Sequence, residues 1–267
     1  MASNKKRKKI NRYEYGFVPI SIAAAILIWY LIIWMGDLQP FILPTPLLVW
    51  ERFIETLGDG RLLKHSLVTF GEVISGLAFG TLFASVLGYA LAKSNRLEKL
   101  LSPYIVASQS VPVVAIAPLL IIWFGPGQIS KILICSLIVF FPVLINTIVG
   151  VRSVPRELDD LMRSLQASKW QTFTLLEVPA GLPVLLGGIK IGATLSVIGA
   201  VVGEFVGADA GLGFLISLAK GQYDTALVFV AVFALVLMAL LLYTSVVLIE
   251  RKLLVWNEVQ SDQIIGE

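Results

Sequence analysis

The chain has few side chains that can do chemistry. Among its 267 residues there is one histidine, His65, and one cysteine, Cys135. A single cysteine, set inside an apolar run, leaves no intrachain disulfide. One histidine and one cysteine exclude the His/Cys ligand sets that zinc sites use. The phosphate-binding pattern G-x-x-x-x-G-K-[S/T] does not occur, so ATP is not bound by that motif. Charged residues make up 15% of the chain, against about 25% in an ordinary soluble domain. Asp159-Asp160 is the one pair of adjacent acids. No catalytic residue, no metal and no cofactor is expected.

What is abundant is apolar surface. Hydrophobic residues form 57% of the chain and the mean hydropathy is +0.86. About 20 apolar residues cross the hydrocarbon core as a helix. Six runs qualify, at 17–35, 68–92, 103–123, 130–150, 184–206 and 226–249. Backbone groups in lipid must be satisfied internally, so runs this long and apolar are helices. The expected fold is all-α, a polytopic membrane protein with six transmembrane helices.

The basic residues orient it. Lys5, Lys6, Arg7, Lys8, Lys9 and Arg12 precede the first run, which is too long for a signal sequence and lacks a cleavage site. With the N-terminus inside, fifteen Lys and Arg fall in inner segments and five in outer ones. That imbalance puts both termini in the cytoplasm. The division expected is a basic cytoplasmic tail at 1–16, a membrane domain at 17–250 and a cytoplasmic tail at 251–267. The basic run is short and leads straight into lipid, which argues against nucleic-acid binding.

Two outer segments are long enough to hold structure. In 36–67, Thr45-Pro46 is a helix start, Val49, Phe53 and Leu57 follow at helical spacing, and Gly58-Asp59-Gly60 ends the helix. The segment 207–225 is glycine-rich and apolar, as expected of a chain folded back on the bundle.

Between the fourth and fifth spans, 151–183 is polar enough for water. Leu158, Leu161, Met162 and Leu165 recur at i, i+3, i+4 and i+7, one stripe of a short helix. Ser168 and Gln171 have capping-box spacing for a second short helix, which Pro179 and Pro183 are expected to stop. An amphipathic helix here either rests in lipid headgroups or packs into a partner's groove.

Within the bilayer, Gly188, Gly192, Ser196, Gly199 and Gly203 share one face of the fifth span, a pattern that lets helices approach closely. Lys190, Thr194 and Glu204 lie on the opposite face and either snorkel to an interface or line a path. Ser108, Gln109 and Ser110 precede Pro112 in the third span, where a kink exposes backbone carbonyls. This triplet suits a solute path or interhelical hydrogen bonds.

The loop 151–183 resembles the EAA loop of binding-protein-dependent ABC importers. Asp160-Leu161-Met162 stands at its acid-Ala-Ala start, Gln166-Ala167-Ser168 at its turn and Val178-Pro179 at its close. Leu161 and Met162 replace the two alanines and Gln166 replaces the turn glycine. The runs "LPTPLLVW", "SVPVVAIAPLLIIWFGPGQISK", "FFPVLINTIVGVRSVP" and "GAVVGEFVGADAGLGFLI" resemble the nitrate/taurine/sulfonate-type permeases over about 40 to 250. Thr69–Gly76 and "AIAPLLIIWFG" look most similar to permeases for riboflavin or a thiamine pyrimidine precursor.

The resemblance implies a bacterial inner-membrane permease whose coupling helix carries Leu158, Asp160, Leu161, Met162, Leu165, Gln166, Ala167 and Ser168. Its partners would be ABC ATPase subunits, which bind the ATP, an extracytoplasmic substrate-binding protein and a second permease copy. Taurine, sulfonate or nitrate follow as substrates. A self-contained ion-coupled transporter would need paired buried carboxylates, and a membrane-embedded enzyme would need clustered Asp, Glu, His or Cys.

Overall fold

The computed structural model describes residues 14–254, with side chains from 19 onward. All regular structure among them is helical: α1 (Glu14–Gly36), α2 (Pro46–Gly58), α3 (Arg61–Lys93), α4 (Asn95–Gln109), α5 (Val113–Phe124), α6 (Gln128–Arg152), α7 (Arg156–Ser164), α8 (Lys169–Thr172), a π-helical turn (Phe173–Glu177), α9 (Val178–Gly207), α10 (Leu212–Gly221) and α11 (Thr225–Leu253). The basic residues 5–12, the end of the C-terminal tail and Trp256 lie outside the described residues.

At the centre, α6 is sandwiched between α3 and α9. The Gly188-to-Gly203 stripe of α9 faces α6 as its spacing predicts. A Cβ on Gly199 would lie 2.8 Å from the Cα of Cys135, and one on Gly80 of α3 would lie 2.7 Å from the carbonyl oxygen of Ser136. Helices this close exclude any side chain at the crossing, and dispersion between the backbones replaces the hydrophobic drive that lipid does not supply.

These contacts fix the topology. Along α3, Gly76, Gly80 and Gly88 meet Cys135, Ser136 and Thr147 of α6 in rising order, so α3 and α6 are parallel. Along α9, Gly188, Gly199 and Gly203 meet Asn146, Cys135 and Lys131 in falling order, so α9 is antiparallel to both. Two successive parallel helices need a return crossing between them, and only α4 and α5 can make it. They are bent by 95° at residues 110–112. The expected single kinked helix over 103–123 is therefore a broken span that begins at Asn95. Pro112 caps α5 with an extended backbone and cannot continue α4. With five long apolar helices, the broken pair completes six crossings. α1 starts and α11 ends at the same end of the bundle as α7, whereas α2 and α10 lie at the other.

Two further boundaries differ from the sequence reading. α3 starts at Arg61 rather than 68, because its first turns pack beneath α10 instead of ending at a lipid interface. Pro179 and Pro183 do not stop the helix after Ser168. Pro179 falls in the first turn of α9, where no amide donor is needed, and the π turn joins it to α8, leaving Lys169–Gly207 as one continuous helical stretch.

At the other end the Thr45 hydroxyl accepts the Leu48 amide at 3.2 Å, as its cap position predicts, and Gly60 ends the α2 corner with φ +78°. The Arg52 guanidinium of α2 is paired with Asp224 and Glu55. Those two acids raise its already high pKa, and the pair to Asp224 ties α2 to the α10–α11 corner.

Candidate coupling surface and buried polar cluster

The loop after α6 folds as its pattern predicts. Pro155, extended, opens α7. Leu158, Leu161 and Leu165 stand out, 42%, 51% and 68% exposed, and Met162 is half-buried. A salt bridge from Arg163 to Asp159, 2.8 Å, braces the polar face. The helix ends with the Ala167 amide donating to the Met162 carbonyl at 3.0 Å and the Gln166 amide to Arg163 at 2.9 Å. This bond pair is a Schellman turn, which demands a left-handed residue at its next-to-last position and usually takes glycine there. Gln166 takes it, with φ 52°. Ser168 then caps α8. Its hydroxyl accepts the Gln171 amide at 3.2 Å and its own amide donates to the Gln171 Oε1 at 2.8 Å. Asp160 is exposed on α7. The result is a knuckle whose apolar stripe leaves Leu158, Leu161 and Leu165 exposed among the described residues.

At the opposite end, the structure buries a group for which sequence spacing left an interface or a path open. Glu204 is 2% exposed. Its carboxylate accepts the Thr69 hydroxyl at 2.6 Å and the Gly213 amide at the N-terminus of α10. Thr69 in turn accepts the Leu212 amide at 2.8 Å, and His65 Nδ1 accepts the Gly211 amide at 3.0 Å. Glu72, 1% exposed, pairs with Lys131 of α6 at 3.4 Å and accepts no hydrogen bond. The cluster ties α3, α6, α9 and α10 together. The α10 N-terminus brings its partial positive charge to Glu204, and Lys131 supplies the full charge that buried carboxylates need. Lys131, His65 and Thr69 were not singled out by sequence. Lys131 reads as a loop residue at the start of a span, and its pairing with Glu72 joins residues far apart in the chain.

Lys190 is likewise not free. Its ammonium lies 2.9 Å and 3.0 Å from the two carboxylate oxygens of Glu250 on α11. The Thr194 hydroxyl donates back to the Ile191 carbonyl. Ser108, Gln109 and Ser110 are exposed at the α4–α5 break, where Ser108 and Ser110 donate to carbonyls of their own helix. The triplet and the α9 face are thus two separate sets, each bonded elsewhere. Trp34 and Trp123 are exposed, whereas Trp29 donates to the Pro44 carbonyl at 3.1 Å and packs at a tilt against Phe229. Among the described residues no cluster of His, Cys, Asp and Glu could hold a metal.

Six crossings with an amphipathic knuckle after the fourth describe a polytopic membrane protein. The family model described as binding-protein-dependent transport system inner membrane component matches residues 76–255. The chain belongs to this family: it is an ABC importer permease of the inner membrane, a transport component and not an enzyme.

Over 252 residues it is 43% identical to the riboflavin transport system permease protein RibX of Chloroflexus aurantiacus, covering 94% of each chain. It is 36% identical to the formylaminopyrimidine transport permease protein ThiX of Halalkalibacterium halodurans, over 83% of this chain and 88% of that one. It is 33% identical to the putative aliphatic sulfonates transport permease protein SsuC of Bacillus subtilis, over 94% and 92%. A chain of the MetNI methionine ABC transporter in an inward-facing conformation shares the fold, with TM-score 0.65 and 19% identity over 72% of this chain and 96% of that one. Family membership implies an ATPase subunit and a substrate-binding protein as partners. It also sets aside the ion-coupled transporter and the membrane-embedded enzyme.

Proposed function

We propose that this permease imports riboflavin, delivered by an extracytoplasmic binding protein, and that two copies form the path. The observation that carries the substrate is the 43% identity to RibX along nearly the whole of both chains. A pyrimidine precursor of thiamine is the second reading, favoured by the likeness to ThiX. Both are planar nitrogen heterocycles, unlike the small sulfonate anions of the more distant relatives.

In this reading the α7 end faces the cytoplasm, in keeping with its excess of Lys and Arg. Leu158, Leu161, Met162 and Leu165 seat in a groove of the ATPase, and Asp160, Gln166, Ala167 and Ser168 hold the knuckle's shape. The binding protein docks on α2 and α10. ATP-driven closure of the ATPase pair moves the knuckles and switches the path between outward and inward access. Ser108, Gln109 and Ser110 border that path at the broken span. Lys190, Thr194 and Glu204 lie along α9 behind it. The chain binds no cofactor of its own.

The test is ATP-dependent uptake in proteoliposomes holding the permease, its ATPase and its binding protein. Labelled riboflavin should accumulate, and a pyrimidine precursor or taurine should not compete at equal concentration. Uptake of taurine without riboflavin uptake would overturn the assignment.

A further inference from the structure

The knuckle is held at both of its ends, and both holds land on the same corner of the bundle. At its start, Arg152 closes α6 just before the loop. Its guanidinium meets the Glu98 carboxylate of α4 with two bonds, 2.8 Å and 2.6 Å, and a third reaches the Leu91 carbonyl of α3 at 3.5 Å. At its finish, Glu177 closes the π turn. Its carboxylate, 7% exposed, accepts the Tyr89 hydroxyl at 2.8 Å and the Lys93 ammonium at 2.5 Å. Tyr89 and Lys93 are four residues apart on one stripe of α3. Phe173, at the other end of the π turn, packs edge-on to Tyr89 with ring centres 5.2 Å apart, and Trp170 of α8 packs on Phe173 at 5.5 Å.

Lys93 is the last residue of α3, and Ser94 then caps α4. Arg152 and Glu177 therefore grip either side of the α3–α4 corner. That corner is the base of the broken span whose far end carries Ser108, Gln109 and Ser110. Bidentate guanidinium–carboxylate pairs fix orientation as well as distance. Glu177 sits in a π turn, an irregularity that recurs at functional sites in helices. Pulling on α7 also moves α6 and α9 along their own axes, but both are locked to the core by glycine contacts. α4 has no such glycine contact: Leu97, Leu101 and Ile105 rest on the α3–α6 core only partly buried, and none of its side chains is fully buried.

We infer that Arg152 and Glu177 are positioning residues for coupling, which deliver the displacement of the knuckle to the α3–α4 corner and so tilt α4 at the break. The inference rests on the knuckle being the ATPase-facing element. It adds where the force goes and through which side chains.

The experiment uses the complete transporter in nanodiscs, with a fluorescent thiol label at Gln109→Cys. Cys135 is fully buried, so labelling is selective. ATP with vanadate should shift the label's emission in the otherwise native protein. In Glu177→Ala/Arg152→Ala the transporter should still hydrolyse ATP, while the shift at 109 falls by about tenfold or more, the factor that corresponds to about 1.4 kcal/mol of lost coupling. The exchange Lys93→Glu/Glu177→Lys, made with Arg152 intact, should restore the shift that Glu177→Lys alone abolishes. A purely structural role would not give hydrolysis without the shift, nor rescue by exchange.

A full shift in the hydrolysing double variant overturns the inference, as does no rescue by the exchange or no ATP-driven shift in the otherwise native protein. Crosslinking of Leu161 to the ATPase, measured on the same preparation, separates these failures from failure of the knuckle assignment itself.

Discussion

Lys131 is the most exacting test of the buried cluster. It is 2% exposed and its ammonium pairs with Glu72, 1% exposed, in the cluster that also holds Glu204, 2% exposed. Lys131→Met keeps most of the volume and removes the charge. Glu204 retains Thr69 and Gly213 as donors, but Glu72 has no hydrogen bond to fall back on. Removing one partner of a buried ion pair costs about 3–5 kcal/mol. For a chain of this size, about 2–4 °C of midpoint is lost per kcal/mol, so the midpoint should fall by about 6–20 °C.

Lys131→Met/Glu72→Leu leaves no orphan charge from this pair, and the midpoint should return to within about 4 °C of the parent, since apolar replacement of both partners is often neutral. The chain supplies its own probe. Cys135 is the single cysteine, sealed between α3 and α9, and a thiol-reactive dye in detergent micelles reports the temperature at which it is exposed. A single variant within about 2 °C of the parent, or a double variant as unstable as the single, would refute the pairing and the magnitude reasoned from it.

Gln166→Gly should stabilise the knuckle, because a left-handed non-glycine residue costs about 1–2 kcal/mol; slower amide exchange at Leu165 and Ala167 would show it, and unchanged or faster exchange would count against the strained turn. Gly199→Leu should prevent α9 from seating on α6, since a Cβ alone would meet the Cys135 Cα at 2.8 Å. Overpacking of this kind costs about 1–3 kcal/mol and occasionally more, so Cys135 should react with the dye well below the parent midpoint.

The parts of this fold that were legible in the sequence are those set by local periodicity. The Leu158–Leu165 stripe, the Ser168–Gln171 box, the Thr45 cap and the glycine face of the fifth span each depend on residues within a few turns, and each appears as its spacing implies. What was not legible depends on partners distant in the chain. Glu204 read as interfacial or path-lining, and Glu72 gave no signal of a buried pair, because their partners, the amides of α10 and Lys131, lie on other elements. Lys190 read as interfacial or path-lining for the same reason, since Glu250 is on the last helix.

The third span failed differently. Ser108-Gln109-Ser110 and Pro112 interrupt an otherwise apolar run and signal a kink, and only the geometry at Pro112 turns it into a 95° break. The continuity of α8 into α9 was misread because prolines were taken as stops. Pro179 falls in the first turn of α9, where a proline is tolerated, Pro183 is carried inside that helix, and the π turn joins it to α8.

Whether the exposed leucines of α7 meet a protein or lipid decides how the chain works. Photo-crosslinking side chains placed at Leu161 and Leu165 in native membrane vesicles would report what each touches. A permease–ATPase adduct at both positions, lost when the ATPase subunit is omitted, is the expected result. Adducts with lipid alone, at normal permease levels and with the ATPase present, would contradict it.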